Sequence, residues 1–382
     1  MLTEETKSII KSTIPVLEEH GEAITSAFYK HMFAEHPELL NVFNKTNQKL
    51  GRQQTALAQT VIAAAKHIDH LEAIIPNVNQ IAHKHRALEI KPEHYPIVGE
   101  NLIWAIQHVL GDAATPEIVD AWTQTYGVIA DVFIKMEAAL YDEADWKDFA
   151  KFKVVAIKQE SPDIKSFTVQ SDAVTVKPVK AGQYITVKVH PDGEENDALR
   201  HYSICSVDIT NGLKFAVKRD VAGEEKGMVS NFLHDNVKVG DEILLSAPAG
   251  EFVVDVDADK SIVLISGGVG MTPIMAMLED EIAKGRDIKF IHSAYNSEAV
   301  PFKDEITKYH NNNKVHFYFN YSETADRLNK AKLADIMNGD EEIYMCGSVG
   351  FMEAMLEVFN AMNIDRSQVH FEPFGPKMSI TI

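Results

Sequence analysis

Cysteine is nearly absent, with only Cys205 and Cys346 in 382 residues. The two lie far apart and show no metal-site spacing, which speaks against a disulfide framework and for a reducing, cytoplasmic setting. Positive charge is scarce as well. Lys and Arg number 37 against 56 Asp and Glu, a net charge of −19, and no segment is basic, so nucleic acid is not an expected partner. Long apolar runs are missing, with one exception. Ser261 to Leu278 carries no charge over 18 residues, which nominally meets the length of a membrane span. Gly267, Gly268, Gly270 and Pro273 interrupt it, and Ile262-Val263-Leu264-Ile265 reads as strand. A buried strand, turn and helix are expected there, and no transmembrane segment. Met1-Leu2-Thr3-Glu4-Glu5 is acidic and leads into no apolar signal-peptide core.

What is present is an ordinary globular composition, 45% hydrophobic and 24% charged, in a chain long enough for two or three domains. The first third has helical periodicity and no convincing strand. Ile118, Trp122, Tyr126, Ile129, Phe133, Met136 and Leu140 step by three and four behind Thr115-Pro116-Glu117, which supplies a cap, a first-turn proline and a first-turn acid. Leu57, Val61, Ala65 and Ile68 mark a second helix, and Ile97, Leu102, Ile106, Val109 and Leu110 a third. An all-α domain over 1–142 is expected.

Within it, Val78, Ile81, His85 and Leu88 share one helix face, so His85 stands where an apolar residue is expected and His83 faces away. A buried imidazole needs a partner for each ring nitrogen. Two readings follow: a core histidine satisfied by its neighbours, or an axial ligand to a haem iron with its second nitrogen held by other groups. Glu137 lies near the edge of the long apolar stripe and needs a donor if it is buried. Tyr95, in the first turn of the helix opened by Lys91-Pro92-Glu93, is a candidate; otherwise Tyr95 merely packs and Glu137 is solvated.

From about residue 150 the pattern changes. Phe152 to Lys158, Ile185 to Val189, Leu213 to Val217 and Ile243 to Leu245 are strands separated by turns such as Asn211-Gly212 and Gly240-Asp241, predicting a small antiparallel β-barrel over 150–257. Arg200-His201-Tyr202-Ser203 places a cation and an aromatic ring on one strand face, suited to a pyrophosphate and a flavin. Gly227-Met228-Val229-Ser230 opens a helix with free backbone N–H groups. Together with Gly182-Gln183-Tyr184 they resemble the FAD domain of ferredoxin-NADP reductase-like enzymes. From Ser261 strands and helices alternate, the βαβ rhythm of a parallel sheet, predicting an α/β domain over 258–382. Gly268-Val269-Gly270-Met271-Thr272-Pro273 lies between its first strand and first helix, where phosphates bind. It lacks the third glycine of the dinucleotide fingerprint but resembles the Gly-Val-Gly-x-Thr-Pro of the reductases. Cys346-Gly347-Ser348 resembles their Cys-Gly-Pro loop, with serine in place of proline.

Ala27-Phe28-Tyr29-Lys30-His31-Met32-Phe33, Gln53, Ile81-Ala82-His83-Lys84-His85, Ile90-Lys91-Pro92-Glu93-His94-Tyr95 and Ala121-Trp122 resemble the globin domain of bacterial flavohaemoglobins. The three parts occur in the order of that family, and the resemblance covers nearly the whole chain. It implies that His85 is the proximal ligand of haem b, that Tyr95 and Glu137 hydrogen-bond the proximal side, and that Tyr29 and Gln53 serve the distal side, with Leu57 restricting the pocket. It implies FAD contacts at Tyr184, Arg200, His201, Tyr202, Ser203, Gly227 and Ser230. The glycine turn with Cys346 and Gly347 would meet NAD(P)H, and Pro373-Phe374-Gly375-Pro376 would bring the ring of Phe374 against the flavin.

The implied activity is nitric oxide dioxygenation in a monomer: NAD(P)H reduces FAD, FAD reduces the haem, and nitric oxide and dioxygen give nitrate. A two-electron hydride and a one-electron iron make a flavin between them physically sensible. A gas sensor whose reductase resets the iron, and a reductase of other acceptors such as peroxides or quinones, are the rival classes. Nitrate formation and the effect of nitric oxide on NAD(P)H consumption discriminate them.

Overall fold

The computed structural model describes residues 2–43, 52–221, 226–257, 259–324 and 326–374. By backbone contacts the chain divides into two compact units, Met1–Asp148 with His190–Leu199, and Phe149–Val189 with Arg200–Ile382.

The first unit is helical: α1 (Glu4–Ser12), α2 (Ile14–Glu35), α3 (Arg52–Lys66), α4 (Ile75–Ala87), α5 (His94–Leu110) and α6 (Pro116–Glu143). Local chemistry sets the ends. Thr3 accepts from the Thr6 N–H ahead of first-turn Glu4 and Glu5, and Thr115 accepts from the Ile118 N–H ahead of Pro116. Helix α2 packs on α3 and α5, and α4 on α6. Phe28, Met32, Ile68, Leu102, Ile106 and Trp122 fill one core, while Val78, Ala82, Tyr95, Ala130 and Phe133 form another.

Two expected stripes are rotated. On α6 the fully buried residues are Ala121, Trp122, Thr125, Ala130, Phe133 and Glu137, with Ile118, Tyr126, Ile129, Met136 and Leu140 half-buried. Small residues at 121 and 130 let neighbouring elements approach that face closely. On α4 the buried residues are Val78, Ala82, Arg86 and Ala87. His85 is half-buried at the rim, and His83 is half-buried rather than fully turned to solvent.

The second unit opens with a six-stranded antiparallel sheet of β1 (Ala150–Ser161), β2 (Ile164–Gln170), β3 (Tyr184–Val189), β4 (Ala198–Ser203), β5 (Leu213–Lys218) and β6 (Glu242–Leu245), in the order β4-β3-β6-β1-β2-β5. The outermost strands meet: Ile204, directly after β4, bridges Phe215 of β5, and Cys205 N–H donates to Lys214 O at 3.0 Å. The sheet is thereby closed into the expected barrel. Strands β2 and β4 are elements that the alternation pattern left unassigned. Helix α7 (Met228–Asp235) precedes β6.

A five-stranded parallel sheet follows, β7 (Ile262–Gly267), β8 (Ile288–Ala294), β9 (Val315–Tyr321), β10 (Glu342–Gly347) and β11 (Val369–Pro373), in the order β11-β10-β7-β8-β9. Its helices are α8 (Met271–Ala283), α9 (Lys303–Tyr309), α10 (Lys330–Ile336) and α11 (Val349–Ala361). The charge-free run Ser261 to Leu278 thus contains β7 and the start of α8. Among the described residues no helix is long and apolar enough to cross a membrane. Ile164, Cys205, Ala216 and Phe252 share one continuous core with Ile262, Met271 and Phe290, so barrel and parallel sheet are fused through packed side chains.

Candidate functional site

Three helices converge on His85. Helix α4 ends just after it, Glu89 turns the chain with φ 61°, and Ile90 N–H returns to His85 O at 2.9 Å. Lys91-Pro92-Glu93 then opens α5, which places Tyr95 in a first turn beside the histidine it follows in sequence. Helix α6 supplies Tyr126, Phe133 and Glu137 from a single face. The Tyr126 hydroxyl donates to Tyr95 O at 2.7 Å, and Gly99 leaves room for the Tyr126 ring, where a Cβ would come within 2.6 Å. The Phe133 ring lies 5.5 Å from that of His85 and 6.3 Å from that of Tyr95.

Glu137, 2% exposed, accepts at one oxygen from both groups. His85 Nδ1 is 2.7 Å from Oε1, and the Tyr95 hydroxyl donates to the same atom at 2.6 Å. Burial first, and then the adjoining carboxylate, push the Tyr95 phenol well above its ordinary range, so it stays a donor. A carboxylate at Nδ1 selects the tautomer with its hydrogen on Nδ1 and leaves the Nε2 lone pair outward. Nε2 has no hydrogen-bond partner among the described residues. That donor set fits a transition-metal ligand buttressed from behind.

Tyr29 is buried on α2 among Phe28, Phe33 and Phe43, with ring centroids at 4.8, 5.8 and 5.8 Å. Burial raises its phenol, which therefore stays protonated, and its hydroxyl has no hydrogen-bond partner among the described residues. One turn earlier Thr25 donates to Gln54 O at 3.0 Å, pinning the start of α3 to α2. Gly21 faces Ala58 at that crossing, where a Cβ would stand in ordinary van der Waals contact at 3.4 Å. Gln53 lies in that first turn of α3, half-buried, and Leu57 is half-buried one turn on.

In the barrel, Tyr184 pairs with Ala249 through two backbone bonds of 2.9 and 2.8 Å. Its ring rests on Gly250 (φ +107°), where a Cβ would meet it at 2.9 Å. His201 lies 2.8 Å from Thr186 Oγ1, with its ring 4.9 Å from that of Tyr184. Arg200 and Tyr202 point to the other face of β4, where Tyr202 stacks on Phe215 at 5.8 Å. Burial lowers the Arg200 guanidinium, partly offset by Tyr202 and Asp220. Ser203 is half-buried at the strand's end. The Ser230 hydroxyl donates to Gly227 O at 3.0 Å and accepts from Asp220 N–H at 3.2 Å. It thereby braces the loop ahead of α7.

At the carboxyl ends of the parallel strands, Gly268 (φ +55°) turns the chain with open space where a Cβ would stand. Gly270 lies against Cys346, whose carbonyl oxygen would be 2.2 Å from a Cβ. Met271, Thr272 and Pro273 are buried and Val269 is half-buried, so this turn presents backbone more than side chains. Cys346 is buried and its thiol donates to Glu372 O at 3.0 Å; burial lifts its pKa well above the ordinary value, so it is no thiolate. Phe374 is 40% exposed, with its N–H on Gly347 O at 3.2 Å. Pro373 ends β11, and Gly375 and Pro376 lie outside the described residues. Sequence reasoning missed Phe351, whose ring covers both Gly267 and Gly347 at 2.7 and 2.6 Å from their would-be Cβ positions. The two glycines, each ending a strand, were the available signal. The open backbone turn at Gly268, beside the strand ends that Phe351 covers, fits a dinucleotide.

Three family models match in order: globin over residues 26–133, oxidoreductase FAD-binding domain over 151–254, and oxidoreductase NAD-binding domain over 264–357. The flavohemoprotein of Bacillus subtilis is 43% identical over 401 residues, covering 100% of this chain and 99% of its own. The chain belongs to the flavohemoprotein family. Flavohemoprotein A of Dictyostelium discoideum is 42% identical over 99% of this chain and 100% of its own. The crystal structure of the flavohemoglobin of Malassezia yamatoensis, with bound FAD and heme, superposes with a TM-score of 0.89 at 27% identity, covering 98% of this chain and 100% of that one. The FAD/NAD-binding domain of the nitric oxide dioxygenase of Vibrio cholerae matches 60% of this flavohemoprotein and all of its own chain, with a TM-score of 0.54 at 30% identity.

Proposed function

We propose that this flavohemoprotein is a cytoplasmic, monomeric nitric oxide dioxygenase that draws electrons from NAD(P)H and converts nitric oxide and dioxygen to nitrate. The observation that carries it is the grouping of His85, Tyr95 and Glu137. Haem b, when bound, supplies an oxygen-binding iron, and FAD supplies a carrier that accepts two electrons together and releases them singly. His85 offers Nε2 as the iron ligand, and Glu137, through the Nδ1 hydrogen, makes that nitrogen more electron-donating than a carbonyl partner would. Tyr95 holds Glu137 in place. Tyr29 offers a protonated hydroxyl, and Gln53 an amide, as donors toward the gaseous substrate.

In the second unit, Arg200 and the backbone N–H groups ahead of α7 serve the FAD pyrophosphate, while Tyr184, His201, Tyr202 and Ser203 serve its ring system. Gly268 to Pro273, Cys346 and Gly347 serve NAD(P)H, with Phe374 over the flavin. A three-part division at 1–142, 150–257 and 258–382 follows from these assignments. Two buried free thiols suit the cytoplasm, and the acidic composition offers nothing to nucleic acid.

The test is nitric oxide consumption by protein carrying haem and FAD, followed with an electrode in the presence of NADH and oxygen. Nitrate should appear in step with the nitric oxide lost. Tyr29→Phe should release oxygen roughly 10- to 100-fold faster, since hydrogen bonds to charged groups contribute about 1.5–3 kcal/mol. Consumption no faster than the buffer background, or without nitrate, would refute the assignment.

A further inference from the structure

Five charges meet where the barrel adjoins the parallel sheet within the second unit. Glu160 on β1, its side chain 1% exposed, takes the Ser166 hydroxyl at 2.6 Å and faces Lys158 at 3.2 Å and Lys214 at 3.5 Å. Both lysines also reach the start of α9. Lys214 contacts Glu305 at 2.9 Å, and Lys158 contacts Asp304 at 2.9 Å and Glu305 at 3.4 Å. The residue before α9, Phe302, is 1% exposed yet left-handed, with φ 56° and ψ 33°, and Lys214 Nζ lies 5.4 Å from its ring centre. A buried, bulky residue keeps such a conformation only when its surroundings over-determine it.

Ion pairs at this depth contribute little net stability, because desolvation offsets attraction. What they supply is direction, which the apolar contacts beside them do not. Burial opposes the charges of Lys214 and Glu305, yet pairing prevails, raising the lysine and lowering the acid. The cluster is also wired to the proposed flavin strand. Lys214 O accepts the N–H of Cys205, two residues beyond Ser203, and Glu279 of α8 takes both the Ser206 hydroxyl and the Val207 N–H at 2.8 Å. Helix α8 begins at the glycine turn, so carboxylates from two helices of the parallel layer hold the barrel at the stretch that directly follows its flavin strand.

We propose that Lys214 and Glu305, with Lys158 and the buried Glu160 behind them, clasp the nicotinamide-binding layer to the flavin-binding barrel and are positioning residues for hydride transfer. It rests on the reading of the second unit as a flavin reductase. In that transfer the dihydronicotinamide C–H bond breaks, and its hydrogen passes with both electrons to a flavin nitrogen. The nicotinamide is left oxidised, and a proton from water neutralises the flavin. The clasp takes no part in the bonds; it sets the approach of the two rings.

The test uses Glu305→Gln, Lys214→Met, Lys214→Arg and the double variant Lys214→Met with Glu305→Gln, all as holoprotein. Stopped-flow flavin reduction at saturating NADH should slow about tenfold or more in the first two, because sub-ångström misplacement weighs heavily on rate. The half-saturating NADH concentration should stay within about twofold, since the glycine turn is untouched. Lys214→Arg should recover most of the rate, and the double variant should be no slower than either single one. Without NADH, hydrogen exchange in Lys303–Tyr309 and Leu213–Lys218 should quicken in both single variants. If Lys214→Met fails to retain FAD, Glu305→Gln, on the far layer, decides alone. Faster exchange with an unchanged reduction rate would reduce the cluster to packing, and unchanged exchange would remove the clasp. A parent protein whose flavin NADH does not reduce would overturn the reductase reading with it.

Discussion

Glu137 occupies a position where an unpaired carboxylate would cost several kcal/mol, and the two hydrogen bonds it accepts explain its presence. Sequence spacing offered Tyr95 as a candidate donor, with a packing tyrosine as the alternative, and marked His85 as a histidine out of place on an apolar face. It did not show that both bonds end on one oxygen. His292 is the opposite case, a buried histidine that sequence reasoning passed over. It lies on β8 with Nδ1 2.8 Å from Ser266 Oγ and a buried Nε2 that has no hydrogen-bond partner among the described residues. Burial depresses its pKa from 6.5 to about 3. Between those values the unfolded chain binds a proton that the folded one refuses, so this group's contribution is intact above 6.5 and is lost as pH falls. His292→Gln should flatten the decline in thermal stability from about pH 6.5 to pH 5, where one such group contributes up to about 2 kcal/mol. Parallel declines in parent and variant would mean that other groups set the acid limit.

Among the elements, α11 answers a question that the sequence posed. Serine stands at 348 where the reductase loop carries proline, which put the stiffness of that loop in doubt. The structure gives Ser348 φ −69° and ψ 158°, a conformation proline also adopts, and its side chain accepts from the Phe351 N–H as an N-cap. Capping replaces ring closure as the means of holding the turn. Ser348→Ala should cost about 1 kcal/mol through the lost cap. Ser348→Pro should cost less, because a residue already at proline's φ gains from a stiffer unfolded chain. Thermal melts of the two variants rank them, and a proline variant less stable than the alanine one would show that the loop needs the Ser348 N–H. Strand β4 was legible only as an extended piece carrying Arg200 and Tyr202. Leu199 is its one buried residue and the other five are half-buried, so the strand lacks the alternation that would mark it.

At the scale of the molecule, each unit has cores of its own among the described residues: the clusters around Met32 and Phe133 belong to the first unit, and the one around Leu264 and Met271 to the second. Loss of one cofactor should therefore leave the other in place. His85→Ala should lose the haem Soret band while keeping FAD and NAD(P)H-driven reduction of a small dye. Arg200→Ala should lose FAD with the Soret band intact. Absorption spectra of the two purified variants check this, and normal haem content in His85→Ala would remove the ligand assignment.

By itself the sequence determined most of the elements and their order, because helical and strand periodicity, caps and glycine turns are local and act within a few residues, and its motifs pointed to the three chemistries through their resemblance to a known family. The tertiary structure alone decided which helix faces went under. It also brought His85, Tyr95 and Glu137 together across separations of 10, 42 and 52 residues. Lys158 reaches Glu305 across 147. No local pattern encodes such meetings. They arise when closing the barrel and packing helix on helix bury apolar area, and the polar groups carried along must then find partners in the places where that packing leaves them.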